Sequence, residues 1–166
     1  QSGQSISKLM SRLLADLETA LQSLQPSIVL VHGDTMTTLA AAMSSFYAGF
    51  PVAHVEAGLR SGDKWQPFPE EINRKIATLT ADLHFAPTEW SRENLLRENV
   101  PDAHILVTGN PVIDALQEAT KKPEIPLVQD LLRQIGLSSG NSGKQLILVT
   151  AHRRENFGQP LVDVCA

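Results

Sequence analysis

Apolar residues in the first 24 positions recur every three or four residues, the spacing of a helix with one buried face. The chain then changes to short apolar runs that alternate with helical stretches, the runs lying at 27–32, 51–56, 83–86 and 103–108 and the helices at 35–48, 69–81 and 88–98. Strands and helices that alternate through short connections are typical of a doubly wound parallel α/β sheet. The near-continuous apolar run at 27–32 further predicts a first strand buried on both faces.

The last third of the chain continues the pattern with weaker signals. Helices are predicted at 111–120 and 127–135, and a fifth strand at 145–150. The change of pattern near 108–111 predicts two domains: an incomplete first domain over residues 1–108 and the start of a second over residues 109–166. Because the chain does not start with Met and its last helix has only begun by residue 159, we expect a piece of a longer protein.

Composition narrows the class of protein. Fourteen Lys and Arg residues against 18 Asp and Glu residues give a net charge of −4, which argues against a general nucleic-acid coat protein. The single cysteine excludes an internal disulfide framework. No apolar run approaches the roughly 18–20 residues of a membrane span, and the N-terminus has no signal-peptide pattern. We therefore expect a soluble cytoplasmic protein that binds neither nucleic acid nor membrane.

The candidate chemistry follows the ends of predicted strands. Asp34 follows the first strand and Glu56 the second, while His152 and Arg153 follow the fifth. Ligands of open α/β sheets bind beyond the carboxyl ends of the strands, so these side chains are expected at one edge. Asp34 could instead cap the following helix. Glu56 is expected to be partly buried, which would require a partner or a shifted pKa.

The next helix carries further charges with ordinary explanations. Glu70 and Glu71 fit a solvated first helical turn equally well. Arg74 lies four residues after Glu70 and could form a simple helical ion pair with it.

Other reaction types lack their signatures. His54 and Glu56 alternate on one strand face, but no third metal ligand lies at a recognised spacing. The sequence has no G-x-S-x-G elbow, no G-x-G-x-x-G fingerprint and no Walker A loop, so no serine nucleophile, dinucleotide or NTP site can be assigned. His54, His84 and His104 are interpreted as structural strand histidines.

Five short runs, taken together in this order, resemble the non-hydrolysing bacterial UDP-N-acetylglucosamine 2-epimerases: HGDT at 32–35, HVEAGLR at 54–60, PEEINR at 69–74, TGNPVID at 108–114 and TAHRREN at 150–156. The resemblance implies two Rossmann-like domains in a glycosyltransferase-B-like arrangement, with the active site between them. It implies interconversion of UDP-N-acetylglucosamine and UDP-N-acetylmannosamine by C2 proton removal with elimination and re-addition of UDP. It also implies no nicotinamide cofactor, a homodimer, and a role in cell-surface polysaccharide synthesis.

The resemblance further implies roles for individual residues. The expected catalytic residues are Asp34, Glu56, Glu70 and His152, and the expected substrate contacts are Arg60, Arg74 and Arg153. Which carboxylate is the base and which the acid stays open. The family's N-terminal strand and most of its second domain are missing from the sequence, so the 166 residues alone are expected to be inactive.

Three other functions stay open on the sequence. A related 2-epimerase could act on a modified UDP-sugar, and a truncated chain could bind a sugar nucleotide without turnover. A glycosyltransferase could share the two-domain architecture, but it would not explain three carboxylates at these positions.

Overall fold

Four short parallel strands and seven helices make up the part of the chain that the computed structural model describes, residues 5–123, 125–137, 146–150 and 158–165. Their order is α1 (Ile6–Leu24), β1 (Val29–His32), α2 (Met36–Tyr47), β2 (Val52–Val55), α3 (Glu70–Thr80), β3 (Leu83–Ala86), α4 (Glu89–Arg97), β4 (Ile105–Val107), α5 (Pro111–Thr120), α6 (Pro126–Gln134) and α7 (Gln159–Cys165). The predicted parallel α/β sheet is confirmed. None of the described helices has the length and hydropathy needed to span a membrane.

Side-chain caps fix the starts of three helices. Ser5, Thr35 and Thr88 each have extended backbone and accept a hydrogen bond from the backbone N–H three residues later. Each cap satisfies one of the N–H groups that a helix start leaves without a partner.

The fourth strand is shorter than the sequence predicts. Asp102–His104 forms a 3-10 turn in which the His104 N–H bonds the carbonyl of Pro101 at 2.9 Å. Proline fixes its own φ and has no N–H to give to a ladder, which favours a turn at this point. The interpretation of His104 as a strand residue is therefore wrong.

All the helices that pack on the sheet cover the same face. Val31, His54, His84 and Ile105 are consecutive partners across the four strands, so their side chains share this face, and all four are buried. Strand order β1-β2-β3-β4 with right-handed crossovers places each connecting helix on the same side.

The opposite face of the sheet is open in the described part of the chain. Leu30 in β1 is 64% exposed and Leu106 in β4 is 46% exposed. The prediction that the first strand is buried on both faces is therefore wrong for the described residues, which cover one face of the sheet. The apolar run at 27–32 correctly predicts a strand, but the direction of the crossovers decides which face of that strand is covered.

Two apolar cores hold the helices to the covered face. The first joins β1, α2, β2 and α3, and the second joins β3, β4 and α4; their buried members are Val31, Ala42, Val52 and Ala77, and Ala57, Ala86, Leu95 and Ile105. Fully buried alanines in α2 and α3 let these helices approach the strands closely. This packing fixes the carboxyl ends of β1 and β2, where the site residues follow.

The chain divides into two compact units, residues 1–116 and residues 117–166. In the second unit the predicted fifth strand is not present over residues 146–150, which have no regular structure. Leu146, Ile147, Leu148 and Val149 are exposed there, because no neighbouring strand among the described residues offers them a ladder. The domain boundaries predicted above stay a prediction.

Candidate functional site

The turn after β1 and the end of β2 meet at one edge of the sheet. The Gly33 N–H donates to the carbonyl of Val55 at 3.0 Å, which holds the turn against β2. Gly33 has φ +73°, and a Cβ there would lie 3.3 Å from Oε2 of Glu56. The left-handed backbone favours glycine here, and a Cβ would come into tight contact with the carboxylate of Glu56. The expectation that Asp34 and Glu56 flank one edge fits this arrangement.

Glu56 is held in an unusual backbone conformation. Its φ is +67°, a left-handed value that costs a non-glycine residue about 1 kcal/mol or more. Its Oε1 accepts a hydrogen bond from Nδ2 of Asn110 at 2.7 Å, and its Oε2 lies 3.9 Å from Nε2 of His32. The side chain is 26% exposed, as expected for a partly buried carboxylate. The backbone strain and the fixed side chain aim the carboxylate at the strand ends.

Asn110 was missed as a site residue by the sequence interpretation. It precedes α5, and its Oδ1 accepts from the backbone N–H of Val112 at 3.0 Å. This cap uses the amide oxygen, so the amide nitrogen is directed to Glu56. The Gly-Asn-Pro sequence after β4 signals such a helix start, but it does not reveal the partner of the amide nitrogen.

Asp34 forms the second acidic group of the site. Both Nε and Nη2 of Arg74 contact its Oδ2, at 2.9 and 2.6 Å. Its backbone carbonyl accepts from Nδ2 of the buried Asn73 at 2.7 Å, so α3 holds both its side chain and its backbone. The alternative that Asp34 caps α2 is wrong, because the cap is Thr35.

Glu71 is the main departure from the sequence interpretation. It is fully buried rather than solvated, and its carboxylate accepts hydrogen bonds from the backbone N–H groups of Ser61 and Gly62 at 3.1 and 3.2 Å. Nη1 of Arg74 completes the set at 3.1 Å. Burial alone would raise the pKa of Glu71, but these donors outweigh it and hold the pKa below its usual value. Arg74 thus pairs with Glu71 and Asp34, not with Glu70 as the helical spacing suggested.

Glu70 lies in the first turn of α3, beside this cluster. Its Oε2 is shielded from solvent and has no hydrogen-bond partner among the described residues. A carboxylate oxygen removed from water is an available acceptor for a proton or a donor group. Glu70 is therefore not the fully solvated first-turn residue that the sequence allowed.

Arg60 is engaged in a different network. Its Nε and Nη2 donate to the two carboxylate oxygens of Glu98 at 2.8 and 2.6 Å, and Nη2 also donates to Oγ1 of Thr78 at 2.9 Å. Nη1 donates to the carbonyl of Leu59 at 2.8 Å. The hydrogen bonds from Arg60 hold the pKa of Glu98 below its usual value. The polar contacts of Arg60 are therefore with the loop, α3 and α4, and not with Asp34 or Glu56.

Comparison with known proteins places the chain in a family. The family model described as UDP-N-acetylglucosamine 2-epimerase matches residues 1–166. A UDP-N-acetylglucosamine 2-epimerase of Salmonella typhimurium is 48% identical over 99% of this chain and 44% of its own length. The chain belongs to the UDP-N-acetylglucosamine 2-epimerase family. It spans less than half the length of this curated relative.

Solved structures of the family share the fold. The UDP-GlcNAc 2-epimerase from Neisseria meningitidis, solved bound to UDP-GlcNAc, has a TM-score of 0.84 and 42% identity, covering 95% of this chain and 42% of that chain. A putative UDP-N-acetylglucosamine 2-epimerase from Listeria monocytogenes has a TM-score of 0.85 and 42% identity, covering 97% of this chain and 40% of that chain. The Rossmann-like, glycosyltransferase-B-like fold class expected from the sequence is thereby confirmed.

Two expected site residues of this family member, His152 and Arg153, lie outside the described residues. Among those described, no group of three or more His, Cys, Asp or Glu side chains could hold a metal ion. The structure forms two polar groups here: Arg74 with the carboxylates of Asp34 and Glu71, and Glu56 with the amide of Asn110 and the imidazole of His32.

Two buried strand histidines contact backbone carbonyls: His54 contacts one in the turn after β1, and His84 contacts one in α3. Nε2 of the fully buried His54 lies 2.8 Å from the carbonyl of Gly33, and Nε2 of His84 lies 3.2 Å from the carbonyl of Thr78. Burial lowers the pKa of His54 to about 4 and lowers the pKa of His84 as well. Both rings therefore stay neutral at pH 7, and their contacts with backbone carbonyls fit the structural interpretation.

Proposed function

We propose that this chain supplies the acidic part of the active site of a UDP-N-acetylglucosamine 2-epimerase, which interconverts UDP-N-acetylglucosamine and UDP-N-acetylmannosamine. The observation that carries the proposal is that Oε2 of Glu56 lies 3.3 Å from the position of a Cβ on Gly33, the residue before the Arg74-paired Asp34, in a chain of this family. The structure of a Neisseria meningitidis relative bound to UDP-GlcNAc supports a UDP-sugar as substrate.

The reaction needs the groups that this edge holds. One carboxylate, from Asp34 or Glu56, takes the C2 proton, and the C–H electron pair forms a C1–C2 double bond. UDP leaves C1 with the electron pair of the C1–O bond, which gives a bound 2-acetamidoglucal. UDP then adds back at C1 as an acid delivers a proton to the opposite face of C2. Positioned acid and base groups of this kind contribute about 10²–10⁴-fold to a rate.

The remaining expected residues have supporting roles in the proposal. Glu70 presents a desolvated carboxylate oxygen and is a third candidate acid or base. Arg74 supplies positive charge beside Asp34, which favours a transition state that accumulates negative charge. By motif alone, His152 is assigned as a catalytic or UDP-contacting histidine and Arg153 as a substrate contact. Arg60 acts as a scaffold, since Glu98, Thr78 and Leu59 occupy its guanidinium.

The proposed setting follows the family. The active form is a homodimer of a longer chain in the cytoplasm, it needs no added cofactor, and its product feeds cell-surface polysaccharide synthesis. Partners other than the UDP-sugar and the second subunit are not part of the proposal.

The test uses a chain of the relatives' full length that carries these 166 residues. It is incubated with UDP-N-acetylglucosamine, and the sugar nucleotides are separated and identified by proton NMR. Accumulation of UDP-N-acetylmannosamine is expected. Glu98→Gln, which removes the carboxylate that pairs with Arg60, is the matched control and should retain activity. Absence of the product with the wild-type chain would contradict the proposed substrate, and turnover of a diacetamido UDP-sugar instead would redirect it.

A further inference from the structure

Glu71 is a buried carboxylate that no step of the proposed reaction uses. It is fully buried in the first turn of α3, where an ordinary glutamate would extend into water. Burying a carboxylate costs free energy unless it is hydrogen-bonded and paired with a cation. The three donors around Glu71 provide this compensation, so the arrangement links elements that are otherwise separate.

The donors come from two elements that frame the site. Ser61 and Gly62 belong to the loop after β2, and both offer backbone N–H groups, so their contribution does not depend on a side chain. Arg74 belongs to α3, one turn after Glu71, and the two side chains form an i,i+3 pair. The Glu71 carboxylate therefore connects the loop after β2 to α3, and the same carboxylate binds Arg74.

Arg74 is a bridge between two carboxylates of different exposure. Its Nη1 contacts Oε2 of Glu71, while its Nε and Nη2 contact Oδ2 of Asp34, whose side chain is 25% exposed. A guanidinium is planar and rigid, so fixing Nη1 at one carboxylate fixes the direction in which Nε and Nη2 point. Buried Glu71 thus sets the orientation in which the Arg74 guanidinium contacts Asp34.

We propose that Glu71 is a positioning residue, whose buried carboxylate locks the Arg74 guanidinium against Asp34 and ties it to the Ser61–Gly62 backbone. This inference rests on the proposed function only where turnover is concerned. Its geometric part concerns the Arg74–Asp34 contact and stands independently of the reaction.

Arg60 and Glu98 provide a matched internal control. Both arginines donate through Nε to a carboxylate, Arg74 to Asp34 at 2.9 Å and Arg60 to Glu98 at 2.8 Å. Both side chains are similarly shielded, with 12% and 8% exposure. A general loss of packing would affect both contacts, whereas loss of a local anchor would affect one.

The first experiment measures solvent exchange of the two Arg Nε–H protons by NMR in a chain of the relatives' full length that carries these residues. The resonances are assigned by their loss in Arg74→Lys and Arg60→Lys. In Glu71→Gln and Glu71→Met, exchange at Arg74 should accelerate at least about tenfold while Arg60 is unchanged, since only one anchor is removed. Glu98→Gln should give the reverse pattern. Unchanged exchange at Arg74 in both Glu71 variants would overturn the proposal, and so would loss of both signals through unfolding, which would show a purely structural role.

The second experiment measures turnover of UDP-N-acetylglucosamine in a chain of the relatives' full length that carries these residues. Glu71→Gln should lower kcat about tenfold with KM within about threefold, because a misaligned Arg74 weakens transition-state stabilisation more than ground-state binding. Equal losses in Glu71→Gln and Glu98→Gln would overturn the positioning role. A wild-type chain that fails to turn over would contradict the proposed function alone, and the exchange measurement would still decide the role of Glu71.

Discussion

Arg60 and Arg74 both pair with carboxylates, but their partners lie at different places in the fold. Arg60 donates to Glu98, Thr78 and the Leu59 carbonyl, so each of its three guanidinium nitrogens already has a partner within the fold. Arg74 meets two carboxylates, one fully buried and one partly open to solvent at the sheet edge.

The difference shows that burial of an arginine alone does not indicate its role. Exposure of the partner does not separate the two cases, since the side chain of Glu98 is 32% exposed and that of Asp34 is 25% exposed. Position separates them: Asp34 follows β1 at the sheet edge, whereas Glu98 follows α4. The motif that implied both residues as substrate contacts could not separate the two cases, because it records residue types and not the partners of each nitrogen.

Replacement of Glu56 should have the largest effect at the sheet edge. Glu56→Gln keeps the shape of the side chain but removes its basicity, and turnover in a chain of the relatives' full length should fall at least about a hundredfold. Glu98→Gln removes the carboxylate that pairs with Arg60 and should leave turnover within about twofold of wild type. The assay is formation of UDP-N-acetylmannosamine. Near-wild-type turnover in Glu56→Gln would remove this residue from the mechanism.

Stability of the interior should depend on pH through His54. The unfolded chain takes up a proton on this residue below its ordinary pKa of 6.5, whereas the folded chain does so only near 4. Stability is therefore fully present above pH 6.5 and declines as the pH falls to 4, by up to about 3 kcal/mol. The lowered pKa of the buried His84 adds a loss of the same sign below pH 6.5, and the lowered pKa values of Glu71 and Glu98 add one at lower pH.

The measurement is urea unfolding of the chain between pH 7 and pH 4.5. His54→Gln can still donate to the carbonyl of Gly33 and should flatten the dependence between pH 6.5 and 5. An equally steep dependence in this variant would place the titrating group elsewhere.

Conservative replacement of the two arginines should separate activity from stability. Arg60→Lys loses the two-pronged contact with Glu98 and should lower the free energy of unfolding by about 1–2 kcal/mol with little change in turnover. Arg74→Lys should lower turnover about tenfold, because an ammonium cannot contact Asp34 and Glu71 with the same geometry. Chemical unfolding and the epimerase assay are run on both variants. Parallel losses in both assays for both variants would remove the distinction between the networks.

The smallest effect is expected at Asn110. Asn110→Ser retains a side chain that can cap α5, but serine is too short to donate to Glu56 as the amide does at 2.7 Å. Turnover should fall about threefold, a small effect for a hydrogen bond to a carboxylate because water can replace the lost donor at this partly exposed side chain, while the unfolding midpoint stays within a degree or two. A large drop in thermal stability without an effect on turnover would assign Asn110 to helix capping alone.

Much of the fold follows from local signals in the sequence. Helical spacing and the short apolar runs predicted the first four strands and the helices between them to within a few residues. The face on which Leu30 lies could not be predicted from its own run, because burial depends on the direction of the crossovers. The run at 145–150 has an apolar strand pattern, but a strand also needs a neighbouring strand, and none pairs with residues 146–150 among the described residues.

The candidate site could be predicted in part. Strand ends and motif order singled out Asp34 and Glu56, and the structure puts both at the sheet edge. The buried position of Glu71 and the amide of Asn110 could not be anticipated, because a first-turn glutamate and a helix cap have ordinary explanations in sequence. These roles depend on contacts between residues separated by about ten to fifty positions, which no local pattern encodes.

The central claim is that carboxylates at this sheet edge exchange the C2 proton of a UDP-sugar. The direct measurement incubates a chain of the relatives' full length, carrying these residues, with UDP-N-acetylglucosamine in deuterated water and follows C2 by proton NMR. The account predicts deuterium at C2 of the sugar with the wild-type chain and with Glu98→Gln, and at least about a hundredfold slower incorporation with Glu56→Gln. Epimerised product without deuterium at C2, or unchanged incorporation in Glu56→Gln, would contradict it.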